Sequence, residues 1–228
     1  EKAIDWIIKE MKSDGLSNVK GERVKVPTWI RGEESLRILV PFEKKLTMLG
    51  IGGSVATPKG GIRGEVIVVD SFDSLDKVKD KVKGKIVLYN VPFTTYGETV
   101  QYRYDGPNYA AKYGAIASLI RSVGTGSIDT PHTGTMGSYT GLKKIPHAAI
   151  SMEDAMMISR LYKRGQKIVV KLNMEAKFVS DRWSRNVIAE LIGSTYPDQV
   201  VVIGGHIDSW DVGQGAHDDG GGCIAAWR

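Results

Sequence analysis

The sequence has very little cysteine: Cys223 is the only one in 228 residues. A disulfide within the chain is therefore excluded, and the cysteine count leaves the redox compartment open. The sequence also lacks an Asn-x-Ser/Thr sequon for N-glycosylation. Neither feature gives an argument for secretion, so any such argument has to come from elsewhere.

Long apolar runs are also missing. No run approaches the roughly 18 residues that a bilayer-spanning helix needs. No signal-peptide pattern opens the chain, which starts with a charged amphipathic segment, as a mature, processed N-terminus would. Because 42% of the residues are hydrophobic and 25% are charged, we expect a soluble, folded protein with one large or two small domains and no membrane span.

Positive charge is only slightly in excess, and the net charge is +5. Residues 77–85 form a local basic stretch with five lysines, but Asp73, Asp76 and Asp80 are interleaved with it. This mixture is more typical of a solvated surface helix than of a nucleic-acid contact. We therefore predict no nucleic-acid partner and no membrane partner.

The pattern of apolar residues and glycines changes along the chain. Apolar residues recur at helical spacing over 2–13, which predicts an amphipathic helix. Alternation over 22–30 predicts a strand, and its proline favours a sheet edge. From about 35 to 176, short strands are separated by glycine-rich turns. This stretch contains two long segments that we predict to be exposed loops, 92–106 and 122–146.

The middle stretch also contains a helix signal. Ser151 with Asp154 three residues later is a capping-box pattern, so a helix should cover 152–164 and stop at Gly165. A further helix should end near Gly114. The predicted strands of this stretch are 36–40, 47–51, 65–69, 85–89, 115–120 and 167–172.

Two more strands are predicted near the C-terminus, at 186–192 and 199–205. Residues 200–203 are apolar on both faces, as in a strand inside a sheet that is covered on two sides. Polar residues follow this strand directly. Open α/β sheets hold their ligands at the C-terminal ends of such strands.

A histidine at the end of the predicted strand and four carboxylates are concentrated within 14 residues, among many glycines. They are His206, Asp208, Asp211, Asp218 and Asp219. Clustered carboxylates repel one another and raise each other's pKa, whereas a divalent cation among them reverses this effect. The cluster therefore predicts a metal site.

The chemistry of zinc suggests a role for three of these residues. Zinc accepts an imidazole nitrogen and carboxylate oxygens, which makes His206 a candidate ligand. A ligating histidine usually donates its other N–H to a carboxylate, and Asp208 lies two residues further along a strand, on the same face. A carboxylate from the next loop can bridge two metals, and Asp218 is the candidate. The glycines that follow admit a helix beginning near Gly222.

Other histidines and acids have simpler interpretations. His206 by itself could be a structural histidine, Asp219 is better explained as a backbone cap, and Asp211 could cap a turn. His132 and His147 are predicted to be loop or strand-edge residues. Cys223 should pack as a small apolar residue on the helix after the site.

The run 205–222 resembles the co-catalytic di-zinc exopeptidase family, and so do 113–123, 131–134 and 144–148. The likeness extends over nearly the whole chain. It implies an α/β fold, the N-terminal part of a zinc-exopeptidase mixed sheet with an inserted protease-associated β/α domain. The peptidase part would comprise 1–34 and 177–228, and the inserted domain 35–176.

The resemblance also implies roles for individual residues. His206 would ligate one zinc and Asp218 would bridge both zincs. Asp208 would support catalysis by orienting the His206 ring. The peptide bond between Asp218 and Asp219 would be cis. His217 departs from the pattern, because an apolar residue is expected at that position.

The implied activity is hydrolysis of short unblocked peptides by a zinc-dependent dipeptidase or carboxypeptidase. The family is expected to be a homodimer, secreted or lysosomal. Its general-base Glu, a neighbouring Glu ligand, a further Asp ligand and a distal His ligand all lie beyond the position of Arg228. Two of five expected ligands are present, so the chain should be inactive by itself. The open alternatives are a non-catalytic protein whose inserted domain is a binding module, and a receptor-like relative that has lost the metals.

Overall fold

The structure is a computed structural model that describes residues 1–126, 128–137 and 141–227. It divides into two compact units, one formed by 1–28 with 180–228 and the other by 29–179. These boundaries lie a few residues from those expected at 34/35 and 176/177. The assignment of the second unit as a protease-associated domain stays a prediction.

The described residues form six α-helices and ten strands. The helices are α1 (Lys2–Ser13), α2 (Phe72–Lys77), α3 (Tyr96–Tyr104), α4 (Gly106–Lys112), α5 (Met152–Lys163) and α6 (Gly220–Trp227). The strands are β1 (Ser17–Ile30), β2 (Glu34–Val40), β3 (Lys44–Leu46), β4 (Met48–Gly50), β5 (Ile62–Val69), β6 (Ile86–Tyr89), β7 (Ala117–Arg121), β8 (His147–Ile150), β9 (Val169–Met174) and β10 (Lys177–Glu190). Within the described residues, no helix is both long enough and apolar enough to cross a bilayer.

The first unit contains helix α1, most of strands β1 and β10, and helix α6. β1 and β10 pair as a two-stranded sheet. The indole of Trp227 in α6 meets that of Trp6 in α1 edge-on, with ring centroids 5.9 Å apart, and its Nε1 donates to Asp14 3.1 Å away. These contacts place the C-terminal end of α6 next to the N-terminal helix.

The second strand predicted near the C-terminus is absent. Residues 199–205 form no strand, and the side chains of Val200 to Ile203 are 70–87% exposed. The prediction was wrong because the described residues of this unit build only the β1–β10 sheet. The run therefore has no hydrogen-bonding neighbour and no apolar layer to cover it. The strand predicted at 186–192 overlaps the last part of β10, which ends at Glu190, so residues 191–192 lie outside the strand.

The second unit is built around an eight-stranded mixed sheet with the order β3-β2-β9-β5-β6-β7-β8-β4. Strands β5 to β8 are parallel neighbours, and the remaining pairs are antiparallel. Only Thr47 separates β3 from β4, although these strands stand at opposite ends of the order. Since one residue spans at most about 3.6 Å, the sheet has to curl until its two ends meet.

Both faces of the parallel strands are buried, in two separate clusters. Ile86 and Leu88 of β6 face one cluster, and Val87 and Tyr89 face the other. Helix α5 packs on the first side, while α2 and α4 pack on the second. This explains why these strands read as continuous apolar runs, because side chains alternate between two covered faces.

The local signals of the middle stretch were partly correct. Ser151 caps α5, and its side chain accepts a hydrogen bond from the backbone N–H of Asp154, as predicted. The segment 92–106 was expected to be a loop, but it contains α3, which is capped by Thr95. This helix has a polar sequence without an apolar period, so its helical spacing was not visible. In its described residues, 122–146 contains no helix or extended strand.

Candidate metal centre

The two predicted zinc ligands touch each other in the structure. His206 Nε2 lies 2.9 Å from Asp218 Oδ1, although the two residues are twelve positions apart in the sequence. Both side chains are partly exposed, with 52% of His206 and 70% of Asp218 accessible. A turn before α6 returns the chain to His206, so the pairing depends on local chain reversal.

The other nitrogen of the His206 ring, Nδ1, is in contact with Asp208. Its backbone carbonyl lies 2.9 Å from His206 Nδ1, and its carboxylate oxygen lies 3.2 Å from the same atom. These acceptors keep a proton on Nδ1, so Nε2 is the nitrogen that faces Asp218. Asp208 and then Asp218 raise the pKa of the exposed imidazole by accepting these hydrogen bonds.

The contact between Asp208 and His206 does not arise for the reason given from sequence. We expected both side chains on one face of a strand, but 201–209 has no regular secondary structure. The main acceptor is the Asp208 carbonyl, which depends on the local fold of the chain. The carboxylate adds a second, longer contact.

Asp219 holds the backbone of the site together. Its Oδ2 accepts the His206 N–H at 3.2 Å, and its Oδ1 accepts the Gly222 N–H at 3.2 Å. Its carbonyl accepts the Cys223 N–H in the first turn of α6. The interpretation of Asp219 as a backbone cap is confirmed, and its tie to His206 was missed. The peptide bond between Asp218 and Asp219 is cis, as the resemblance implied.

Two glycines are required because the backbone passes close to Asp219. A Cβ at Gly205 would lie 2.7 Å from an Asp219 carboxylate oxygen, and a Cβ at Gly222 would lie 2.2 Å from the other. Such distances are shorter than van der Waals contact. The glycines thus allow Asp219 to reach both His206 and the start of α6.

His206 and Asp218 fit a zinc ion as two of its ligands. An imidazole nitrogen and a carboxylate oxygen 2.9 Å apart need little rearrangement to become neighbouring ligands, since tetrahedral zinc with bonds of about 2.0–2.1 Å separates its ligands by roughly 3.3 Å. In the described parts of the chain, no three His, Cys, Asp or Glu side chains are arranged to hold a metal ion. The described residues therefore offer a candidate pair of ligands rather than a complete coordination shell.

The other candidate residues lie elsewhere or play other parts. His217 is exposed in the turn next to Asp218. Cys223 donates its S–H to the His206 carbonyl at 3.2 Å, so it packs beside the site rather than into an apolar core. His147 is fully buried inside the eight-stranded sheet, where we had expected a loop or strand edge, and burial lowers its pKa to about 4. His132 is half-buried, with Nδ1 2.8 Å from the Val123 carbonyl.

The sequence and the fold are similar to those of metallopeptidases. Residues 186–228 match the model of Peptidase family M28, and this match contains both predicted zinc ligands. A peptidase M28 precursor from Shewanella amazonensis has a similar structure, with a TM-score of 0.90 and 38% identity, over 96% of this chain and 51% of that one. The mixed α/β fold implied by the resemblance is confirmed.

A particular relative matches the whole sequence. Carboxypeptidase Q of Mus musculus is 52% identical over 228 residues, which is 100% of this chain and 48% of the mouse protein. A zinc aminopeptidase from Bacillus subtilis shares the fold with a TM-score of 0.65 at 21% identity, over 97% of this chain and 48% of that one. The resemblance to the di-zinc exopeptidases is confirmed, and the chain spans about half the length of the curated relatives it matches.

Proposed function

We propose that the protein containing this chain is a zinc-dependent metallo-exopeptidase, a dipeptidase or carboxypeptidase that acts on short unblocked peptides. The match to peptidase family M28 supports this proposal, as does the similarity to carboxypeptidase Q. The observation that carries it is the 2.9 Å contact between His206 Nε2 and Asp218 Oδ1. An imidazole and a carboxylate held together in this way form one edge of a zinc site.

The chain's own residues would prepare this edge for catalysis. Asp208 holds the proton on Nδ1 of His206, which leaves Nε2 free to bind a metal. Asp219 ties the backbone of His206 to the start of α6 and so limits the movement of the ring. Asp218 presents a carboxylate that can bridge two cations. Two zinc ions held there would polarise the scissile carbonyl and lower the pKa of water.

Zinc binding by variant proteins tests the proposal directly. The full protein is titrated with Zn²⁺ by calorimetry, and bound metal is quantified by elemental analysis. His206→Ala and Asp218→Ala each remove a ligand. We expect each to weaken zinc binding by at least about tenfold, since the loss of an outer-shell partner alone costs that much.

The matched control is His217→Ala, which removes an exposed imidazole from the residue next to Asp218. This variant should bind zinc as the unmodified protein does. Equal zinc content in the unmodified protein and in a His206→Ala, Asp218→Ala double variant would contradict the proposed site.

A binding-module function is the second candidate. The observation that favours it is that both hydrophobic clusters lie within 29–179, so this unit has a core of its own. Dipeptide hydrolysis by the full protein distinguishes the two functions. Zinc-dependent cleavage that is lost in His206→Ala supports the exopeptidase, whereas zinc-free binding of peptides by residues 29–179 without cleavage supports the module.

The assembly and the compartment of the protein are further parts of this proposal. We propose a homodimer that is secreted or lysosomal, on the basis of the family resemblance alone. Light scattering coupled to size-exclusion chromatography measures the oligomeric state. Fractionation of the producing cells and their medium measures the compartment. A cytosolic monomer would contradict both parts of the proposal.

A further inference from the structure

Four cationic side chains form one row across the antiparallel half of the eight-stranded sheet. In the strand order β3-β2-β9-β5 they are Lys45, Arg37, Lys171 and Arg63. Arg37 pairs directly with Lys45 on one side and with Lys171 on the other. Lys171 in turn pairs with Arg63. Directly paired residues project from the same face of a sheet, so the four charges stand side by side.

This cationic row lies on the uncovered face of these strands. All four of its residues are exposed. The residues that alternate with them along the strands, such as Leu36, Leu46 and Leu172, are at most 2% exposed and belong to the cluster against which α5 packs. The strands therefore have a buried apolar face and an outer face that carries the row.

The cationic row has little counter-charge. One ion pair reaches it, since Arg37 Nη2 lies 3.9 Å from Glu43 Oε2, and both of these side chains are more than half exposed. Glu65, which follows on the same face of β5, pairs instead with Lys85 at 3.0 Å. The other three members of the row have no ion pair within the described residues, and 127 and 138–140 include no acidic side chain. Like charges directly opposite each other are unfavourable in a sheet, so the row favours an external negative charge.

The spacing of the charges determines the shape of a suitable ligand. Adjacent strands lie about 4.8 Å apart, so the row extends over about 14 Å at right angles to the strands. The outer positions of these strands hold no aromatic side chain on which nucleic-acid bases could stack. An extended acidic peptide presents carboxylates to one side only about every 6.7 Å, which does not match the strand spacing. A linear chain with denser negative groups fits better.

We propose that the cationic row is a binding surface for a linear sulfated polysaccharide. Sulfate groups along one chain would lie beside successive cations and reduce the repulsion between them. Because lysine and arginine stay charged at physiological pH, binding would depend on salt concentration rather than on pH. The surface lies within 29–179 and uses none of the predicted zinc ligands, so it can be tested separately from the peptidase function.

The affinity for a heparin octasaccharide tests this proposal. The full protein is titrated by calorimetry at several NaCl concentrations. If each contact counts as it does for single-stranded nucleic acids, four contacts give a slope of about −3 for the logarithm of the affinity against that of the salt concentration. Arg63→Gln combined with Lys171→Gln should reduce the slope to about −1.5. It should also weaken binding at least about tenfold, since each cation beside an anionic surface contributes roughly fivefold.

The matched control removes the same charge from another part of the unit. Lys79→Gln combined with Lys81→Gln changes two exposed lysines between α2 and β6, and it should leave heparin affinity nearly unchanged. Equal affinity in the Arg63→Gln, Lys171→Gln variant and in the unmodified protein would overturn the proposal. So would equally tight, row-dependent binding of a polyglutamate peptide or of anionic lipid vesicles, because the ligand would then belong to another class.

A second measurement uses the unmodified protein. Lysines of the full protein are acetylated with and without the octasaccharide, and the modified positions are identified by mass spectrometry. Lys45 and Lys171 should react in the free protein and be protected by the octasaccharide, whereas Lys79 and Lys81 should react equally in both. Lys45 and Lys171 that resist acetylation in the free protein would show that this face is already covered, which would contradict the proposal.

Discussion

Acidification should destabilise the eight-stranded sheet through His147. Its imidazole is completely buried, and burial lowers its pKa from 6.5 to about 4. An unfolded chain protonates this ring at its ordinary pKa, so below pH 6.5 the unfolded state binds the proton more readily. The stabilising contribution is therefore complete above pH 6.5 and is lost as the pH falls towards 4.

The magnitude follows from the two pKa values. Each pKa unit corresponds to about 1.4 kcal/mol, and integration over the shift gives a loss of about 2 kcal/mol by pH 5 and about 3 kcal/mol by pH 4. This is a large share of the 5–15 kcal/mol that stabilises a typical domain. The nearby guanidinium of Arg103 opposes protonation further.

Native-state hydrogen exchange measures this loss where it occurs. Amides of β7 and β8, corrected for their intrinsic exchange rates, report the opening free energy of this sheet from pH 7 to pH 5 at constant chloride. His147→Gln removes the titrating group, so its opening free energy should fall less steeply with pH. His132→Gln, which changes a half-buried histidine of the same unit, should keep the original slope. Equal slopes in the His147→Gln variant and the unmodified protein would refute the reasoning.

Two further substitutions test the packing and the metal site. Asp154→Asn removes the charge from a carboxylate that is 3% exposed and pairs with Lys44, which should lower the free energy of unfolding in urea by about 2–3 kcal/mol; an unchanged urea midpoint would show that this pair contributes little. Gly222→Ala places a Cβ 2.2 Å from an Asp219 oxygen, so zinc affinity measured by calorimetry should fall by at least about tenfold. Gly213→Ala meets no atom within 4 Å and should bind zinc normally.

Local signals in the sequence were sufficient where neighbours along the chain supply the contacts. The amphipathic helix over 2–13 is α1, and Ser151 caps α5 as its spacing predicted. The pairing of His206 with Asp218 is of the same kind, because a glycine-rich turn brings these two residues, twelve positions apart in the sequence, into contact. Residue type and spacing identify such features without knowledge of the rest of the fold.

Apolar patterning predicted a buried strand at 200–203, where the structure shows exposed chain. A hydrophobic run indicates that a segment is suited to burial, but it carries no information on whether other strands pair with it. The same limitation applies to α3. Its polar sequence becomes helical because Thr95 caps it and Arg103 is buried on its inner side.

By itself, the sequence determined the class of fold, the candidate metal-binding residues and the helices whose caps lie in their own segments. Only the tertiary structure decided that β3 and β4 meet across the curled sheet, that His147 is buried beside Arg103, and that Asp219 holds His206. The physical reason is distance along the chain. Contacts between neighbouring residues leave a pattern in the sequence, whereas contacts between distant segments depend on how all the strands pack together.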